Sequence, residues 1–141
     1  MKREVDVAII GAGSGGLSAR REVEKKTKNY VVIDGGTLGT TCARVGCMPS
    51  KVLIQVAEDF YRRNKHLEEG IHGGDKLTVN TKEVMAHVRK LRDRFVRGVL
   101  GGMNSWGQEH FIDEYAKFVD ANTLKTKSFE ITAKKIILAS G

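Results

Sequence analysis

The residue types best suited to chemistry in this sequence are two cysteines, Cys42 and Cys47, with Lys51 four residues after the second. In a regular α-helix, residues five positions apart have Cα atoms roughly 8.7 Å apart, and in an extended strand the separation is roughly 16 Å. A disulfide needs a Cα separation below about 7 Å. A bond between these two cysteines therefore requires a bent or distorted turn.

The residues around the second cysteine favour such a turn. Gly46 can adopt backbone angles that are closed to other residues, and Pro49 suits the first turn of a helix that begins near Cys47. A helix N-terminus and the nearby Lys51 both favour the thiolate form of Cys47. The residues alone leave two interpretations open: a reactive pair, or two buried structural cysteines that happen to be close.

A zinc site is a third interpretation, because Cys42 and Cys47 are followed by His66 and His72. These spacings fall within the loose pattern of Cys2His2 zinc ligands. The lysine beside the cysteines and the amphipathic helix predicted between the two pairs both argue against a metal. We therefore predict no metal site.

A glycine-rich segment at residues 11–16, with the sequence G-A-G-S-G-G, is the second candidate for chemistry. It follows an apolar run at residues 5–10, which predicts a buried parallel strand, and it precedes an amphipathic helix. A second apolar strand at residues 30–33 is followed by Asp34. A G-x-G-x-x-G pattern between strand and helix, with an acid after the second strand, is typical of a dinucleotide site.

Each position of this pattern has its own physical role in such a site. Gly11 makes the tight turn, Gly13 lets the backbone approach a pyrophosphate, and Gly16 allows close packing of helix on strand. The helix N-terminus supplies N–H donors to phosphate oxygens, and Asp34 can accept hydrogen bonds from a ribose diol. The alternative is a glycine-rich turn that binds no ligand.

The composition limits the class of protein. Of the 141 residues, 40% are hydrophobic and 29% are charged, which predicts one folded domain with a core rather than disorder. Two cysteines favour a reducing compartment over a disulfide scaffold. The N-terminus has no apolar signal core, and no apolar run approaches 18 residues. We expect a cytoplasmic protein without a membrane partner.

The formal net charge of +7 raises the question of nucleic-acid binding. The basic residues concentrate in a helical stretch at residues 82–97 that also contains Glu83 and Asp93. Aromatic residues make up only 6% of the chain and do not alternate with these charges. A solvated helix face is therefore favoured over a nucleic-acid surface.

Apolar periodicity predicts the remaining elements. One helix is predicted at residues 51–69, and a longer one runs from a cap formed by Asn80 and Glu83 to the glycine pair at residues 101–102. Strands are predicted at residues 111–119, 123–131 and 136–139, with a turn at residues 120–122 between the first two.

Three segments together carry a family resemblance. Residues 41–51, T-C-A-R-V-G-C-M-P-S-K, match the redox motif T-C-x-x-x-G-C-x-P-[SK]-K, and residues 133–141 resemble a strand that ends in Ala-Thr-Gly. With the glycine turn in its proper order, the chain resembles the flavin-dependent pyridine nucleotide–disulfide oxidoreductases over nearly its whole length. The resemblance implies an α/β fold: a Rossmann-like FAD-binding domain with a parallel sheet, helices and a small antiparallel β-meander, lacking the last strand of the sheet.

The resemblance also implies roles for the reactive residues. Cys47 would be the thiolate that lies against the flavin ring, and Cys42 would be the interchange thiol that attacks the substrate disulfide. Lys51 would stabilise charge on the reduced flavin. FAD would be the cofactor and NAD or NADP the co-substrate.

The remaining implied cofactor contacts follow the chain in order. The glycine turn would hold the pyrophosphate of FAD, and the acid after the second strand would hold the adenosine ribose. Residues 39–42 would lie against the pyrophosphate and the flavin, and the backbone of residues 115–116 would touch the adenine. The last residues of the chain would also contact the cofactor. The residues implied are Gly11, Gly13, Ser14, Gly15, Gly16, Asp34, Gly39, Thr40, Thr41, Cys42, Lys51, Ala116, Ser140 and Gly141.

Four positions depart from the family pattern. Thr40 replaces a common second glycine, Arg44 a common asparagine, Ser140 the usual threonine, and Asp34 the commoner and longer glutamate. Residues 49–51, P-S-K, favour members that oxidise dihydrolipoamide with NAD, or reduce mercuric ion, over members that reduce glutathione. The departures leave the substrate class open.

Family members continue into a second dinucleotide domain for NAD(P)H and a C-terminal dimerisation domain. We interpret residues 1–141 as a single N-terminal piece of the FAD-binding domain, which carries the redox disulfide but does not turn over alone. The whole enzyme is implied to be a homodimer acting on a small disulfide, with a 2-oxo acid dehydrogenase complex as a further implied partner. The alternative from another class is a dinucleotide-binding module without catalysis.

Overall fold

The chain folds into six strands and four helices. The structure is a computed structural model that describes residues 1–141. The strands are β1 (Lys2–Ile10), β2 (Tyr30–Ile33), β3 (Phe111–Ile112), β4 (Lys117–Phe118), β5 (Thr123–Lys125) and β6 (Glu130–Leu138). The helices are α1 (Ser14–Glu24), α2 (Thr41–Arg44), α3 (Cys47–Tyr61) and α4 (Thr81–Met103), with short 3-10 turns at Arg62–Asn64, Gly74–Lys76 and Gln108–His110.

These elements divide between two compact units. The first unit comprises Met1–Thr41 and Gly98–Gly141, and the second comprises Cys42–Arg97. All six strands belong to the first unit, whereas the second unit is helical. The expectation of a single domain over residues 1–141 stays a prediction.

The sheet of the first unit has the strand order β3-β2-β1-β6-β5-β4. Strands β3, β2, β1 and β6 run parallel to one another, while β4, β5 and β6 form an antiparallel meander. The predicted fold class, a mixed α/β fold with a parallel sheet and a small antiparallel meander, is confirmed. A parallel β1–β2 pair joined by α1 is the arrangement that brings a glycine turn to the carboxyl edge of a sheet.

Strand β2 shows why apolar runs identify the centre of this sheet. All four of its residues are buried. Val31 and Ile33 belong to one hydrophobic cluster, and Tyr30 and Val32 belong to another, because successive side chains of a strand point to opposite faces. Strands buried on both faces are therefore apolar throughout rather than alternating.

Three strand boundaries differ from the predictions. The predicted strand 111–119 is broken into β3 and β4, because its middle residues cross the turn that follows β2. The predicted strand 123–131 is broken by a tight turn in which Thr126 N–H donates to the Phe129 carbonyl at 2.8 Å. The predicted strand at 136–139 is only the end of β6, since Lys134 stays in the strand and pairs with Asp6 at 2.7 Å.

The helices also begin and end differently from the predictions. Helix α3 starts at Cys47 and ends at Tyr61, so residues 62–69 of the predicted helix lie outside it. Helix α4 begins after Asn80, whose Oδ1 accepts the Lys82 N–H at 3.1 Å and whose Nδ2 donates to Glu83 at 3.0 Å. It passes through the glycine pair to Met103, which is 8% exposed in the core. None of these helices combines the length and apolar character needed to cross a bilayer.

The apolar face predicted on α3 is not a core face. Helix α3 contains no buried residue, and Leu53, Leu67 and Ile71 are exposed. The spacing of apolar residues predicts which of them share a helix face, but it does not show whether another element covers that face.

Candidate functional site

The turn between β1 and α1 depends on Gly11. Its φ of +106° lies in the left-handed region that favours glycine. Its N–H donates to the Ile33 carbonyl at 2.8 Å, which fixes the turn to the end of β2. A Cβ added here would lie 2.2 Å from the carbonyl oxygen of Ala139, so no other residue fits without displacing the backbone after β6.

The other two pattern glycines differ in their surroundings. A Cβ on Gly16 would lie 1.8 Å from the Gly11 carbonyl oxygen, whereas a Cβ on Gly13 would have nothing within 4 Å. Gly16 is therefore required for packing inside the protein, and Gly13 borders open space. The packing role predicted for Gly16 agrees with this geometry, whereas the role of Gly13 toward a pyrophosphate stays a prediction.

The N-terminus of α1 provides free hydrogen-bond donors beside that open space. Its first helical bond runs from the Leu17 N–H to the Gly13 carbonyl at 2.9 Å, and no side chain caps the helix. Ser14 and Gly15 are exposed. Uncapped N–H groups at a helix N-terminus bind phosphate oxygens. This part of the chain thus has the donors and the room that a dinucleotide phosphate requires.

The carboxylate of Asp34 holds two backbone N–H groups. Its Oδ2 accepts from Ala12 at 2.7 Å, and its Oδ1 accepts from Gly36 at 2.8 Å. Asp34 therefore lies beside the glycine turn, as its predicted cofactor role requires. Each carboxylate oxygen has a second lone pair, which leaves capacity for a ribose hydroxyl.

The predicted residues at the end of the chain also lie beside this turn. The Ala139 N–H donates to the Ile10 carbonyl at 2.8 Å, and Ser140 N lies 3.1 Å from the position of a Cβ on Gly11. Ser140 and Gly141 are exposed. Ala116 is half-buried and packs against the hydrophobic cluster that contains Val31 and Ile33.

Tyr115 lies at the same edge, although no side-chain role is predicted for it from the sequence. A Cβ on Gly35 would lie 2.5 Å from the Tyr115 N and 2.8 Å from its Cδ2. The tyrosine therefore packs directly on the turn after Asp34, while its side chain stays exposed. The glycine pair at residues 35–36 is the feature of the sequence that indicates this close approach.

Residues 39–41 lead from the first unit into α2. Gly39 has a φ of +102° and Thr40 a φ of +60°. Both are buried, and Thr41 is exposed. A left-handed backbone is rare for a β-branched residue, so Thr40 is strained at this position.

The second unit carries the two cysteines, which are both free thiols. Cys42 lies in α2 and Cys47 is the first residue of α3, as predicted from Pro49. A hydrogen bond to Cys47 raises the pKa of the Cys42 thiol, burial raises it further, and the positive charge of Lys51 partly offsets both.

The exposure of the two sulfurs differs from what their assigned roles suggest. Cys47 is exposed, and Cys42 is only half-exposed, whereas an attacking thiol is expected to be the more accessible one. No three His, Cys, Asp or Glu side chains form a group that could hold a metal ion. The four candidate zinc ligands are therefore not assembled.

Comparison with known proteins gives the family. The family model for pyridine nucleotide-disulphide oxidoreductases matches residues 5–141. A dihydrolipoyl dehydrogenase of Buchnera aphidicola is 32% identical over 99% of this chain and 30% of its own length. A mitochondrial dihydrolipoyl dehydrogenase of Schizosaccharomyces pombe is 34% identical over 98% of this chain and 28% of its own length.

Two further relatives differ in activity or show only the fold. A mercuric reductase of Bacillus cereus is 27% identical over 98% of this chain and 22% of its own length. The solved structure of a copper(II) complex of RclA, an HOCl-induced flavoprotein disulfide reductase from Escherichia coli, matches with a TM-score of 0.68 at 19% identity, over 96% of this chain and 27% of that chain.

The chain therefore spans 30% or less of the length of these relatives. The family model nevertheless matches residues 5–141, which is almost the whole of this chain. The chain belongs to the pyridine nucleotide-disulphide oxidoreductase family, whose enzymes are FAD-dependent.

Proposed function

We propose that this chain is the flavin-binding, dithiol-bearing part of a disulfide oxidoreductase that oxidises dihydrolipoamide with NAD. The observation that carries the proposal is the pair of free thiols in the redox segment, with Cys42 in α2 and Cys47 at the first position of α3; the raised pKa of Cys42, caused by its hydrogen bond with Cys47, agrees with it. The two dihydrolipoyl dehydrogenases at 32% and 34% identity support lipoamide as the substrate. A homodimer, a 2-oxo acid dehydrogenase complex and a cytoplasmic location stay predictions for the whole enzyme.

The residues that would hold FAD are those of the glycine turn and its neighbours. Uncapped N–H groups of Ser14 and Gly15 would bind the pyrophosphate, and Asp34 would accept from the adenosine ribose. When bound, FAD supplies the acceptor for the two electrons that a dithiol releases on closing to a disulfide. Gly39, Thr40, Thr41, Lys51, Ala116, Ser140 and Gly141 are the remaining proposed contacts.

The two cysteines would carry out thiol–disulfide exchange. A thiolate of the substrate attacks Cys42 of the Cys42–Cys47 disulfide, so that a substrate–Cys42 bond forms and Cys47 leaves as a thiolate. The second substrate thiol then closes the internal disulfide of the substrate and releases Cys42. Two electrons pass from the substrate to the protein, which ends as the dithiol.

The surroundings of the two sulfurs agree with these roles. The pKa of the Cys42 thiol is raised by its hydrogen bond with Cys47 and by burial. The first position of α3 adds the positive end of a helix dipole at Cys47. Cys47 is thus the better leaving thiolate, as the exchange requires.

Thiol counting tests the proposed couple in the chain itself. The reduced chain is incubated with oxidised lipoamide without oxygen and separated from lipoamide and dihydrolipoamide by gel filtration, and the free thiols of the protein are then counted with a chromogenic disulfide reagent. We expect the count on the protein to fall from two to zero, because an intramolecular disulfide forms as the two electrons and two protons of the protein dithiol pass to lipoamide. The matched variants Cys42→Ser and Cys47→Ser cannot form that bond.

The result separates the alternatives. Two thiols that persist at saturating lipoamide would contradict the redox pair and favour structural cysteines. FAD binding without any reaction of the thiols would favour a dinucleotide-binding module.

A further inference from the structure

The carboxylate of Asp34 makes contacts that a residue with the single role of binding ribose would not need. Its Oδ2 accepts the Ala12 N–H at 2.7 Å, and its Oδ1 accepts the Gly36 N–H at 2.8 Å. N–H···O bonds in proteins are most often about 2.9–3.0 Å long, and bonds to a charged acceptor are shorter and stronger. Both oxygens are therefore engaged before any ligand is considered.

Ala12 depends on this contact because of where it lies. It is 2% exposed and sits in the glycine turn between β1 and α1, outside the hydrogen bonds of either element. A buried N–H without an acceptor destabilises the folded state, because it loses its hydrogen bonds to water and gains none in return. Asp34 supplies the acceptor that lets the turn bury Ala12 next to the open side of Gly13.

The partner of the second Asp34 oxygen, the Gly36 N–H, also lies in a segment whose position is fixed. Gly36 follows Gly35, on which the backbone of Tyr115 packs so closely that a Cβ would come within 2.5 Å of the Tyr115 N. The Asp34 N–H donates to the Ile112 carbonyl at 3.1 Å. The side chain thus reaches from a backbone segment fixed on β3 to the glycine turn.

We propose that Asp34 is a positioning residue for the phosphate-binding turn, which it ties to the end of β2 through Ala12. The inference rests on the proposed flavin site and adds to the ribose contact expected there, since each oxygen keeps one lone pair. The two roles differ in their ligand dependence. A residue that only recognises ribose affects ligands with adenosine, whereas a residue that positions the turn also affects FMN, which has a flavin and a phosphate but no adenosine.

Amide hydrogen exchange measured by NMR tests the role without any ligand. In Asp34→Ala, we expect the protection of the Ala12 and Gly36 amides to fall by about tenfold or more, since both lose a charged acceptor. Protection of Ile9 and Val32 in the sheet verifies that the variant is folded. The matched control is Asp120→Ala, which removes a carboxylate that accepts the Asn122 N–H at 2.8 Å in a different turn.

Titrations of the same protein variants with FAD and with FMN provide the second readout. We expect Asp34→Ala to raise the dissociation constants of FAD and FMN by similar factors, about tenfold each, and Asp120→Ala to change neither. If Asp34→Ala does not fold, Asp34→Asn replaces it. Its single acceptor oxygen leaves one of the two amides unprotected.

Two results would overturn the proposal. One is unchanged protection of Ala12 and Gly36 in a folded Asp34 variant, and the other is an FMN affinity that stays at the wild-type value while FAD affinity falls. If the wild-type chain binds neither flavin, the proposed flavin site fails. Amide protection still decides whether Asp34 holds the turn.

Discussion

A single carboxylate, that of Glu114, fastens the segment before β4 to the turn between β5 and β6. It accepts the Ser128 N–H at 2.9 Å and the Ser128 hydroxyl. Hydrogen bonds from Ser128 and Thr126, with the charge of Lys127, lower the pKa of Glu114 to about 2. This anchoring fixes the position of Tyr115, the next residue, on the turn after Asp34.

The lowered pKa predicts how stability depends on pH. Because the folded pKa lies below the ordinary 4.5, Glu114 stabilises the fold fully above pH 4.5, and the contribution is lost as pH falls toward about 2. We expect Glu114→Gln to remove part of the acid dependence of the melting temperature in that window. The control is Glu68→Gln on an exposed residue, and equal acid profiles for the two variants would contradict the prediction.

At the scale of elements, the sequence predicted what local patterns specify. The glycine turn, β2, the start of α3 near Cys47 and the cap of α4 at Asn80 each depend on residues close together in the chain. The breaks in strands 111–119 and 123–131 could not be predicted, because they arise from contacts with distant residues: Tyr115 on Gly35, and Glu114 on Ser128. The contacts of Asp34 with Ala12 and of Cys42 with Cys47 likewise needed coordinates.

Two glycines in the turn between β1 and α1 allow a test that separates the effect of packing on stability from the effect of open space on ligand binding. Gly16→Ala places a Cβ 1.8 Å from the Gly11 carbonyl oxygen, so we expect loss of the folded state. Gly13 has an extended backbone with φ −76° and open space around it, so Gly13→Ala should change stability by less than about 0.5 kcal/mol. It should nevertheless weaken FAD binding, because its methyl group occupies space that a phosphate needs.

Urea unfolding and flavin titration of the two variants measure both effects. Equal stability losses would mean that the two glycines have the same structural role, against the geometry of the turn. An unchanged FAD affinity in Gly13→Ala would indicate that the ligand does not approach that side of the turn.

At the scale of the molecule, the buried apolar residues concentrate in the first unit. Both hydrophobic clusters lie there, around β1, β2 and β6. In the second unit, α3 and the start of α4 line an apolar groove of about 470 Å³, and Leu53, Tyr61 and Val79 on its walls are exposed. The stability of the chain should therefore depend mainly on the sheet.

Two truncations of similar size test this distribution. Ile131 is fully buried and faces Leu124 across the β5–β6 pair, so Ile131→Ala should cost about 2–5 kcal/mol of unfolding free energy. Leu53 is 42% exposed, so Leu53→Ala should cost less than about 1 kcal/mol. Trp106 fluorescence reports on the first unit, and far-ultraviolet circular dichroism reports on the helices. Urea titrations followed by both probes therefore also show whether the two units unfold together. A cost for Leu53→Ala equal to that for Ile131→Ala would mean that the groove is covered in solution, and that the apolar face of α3 is a core face after all.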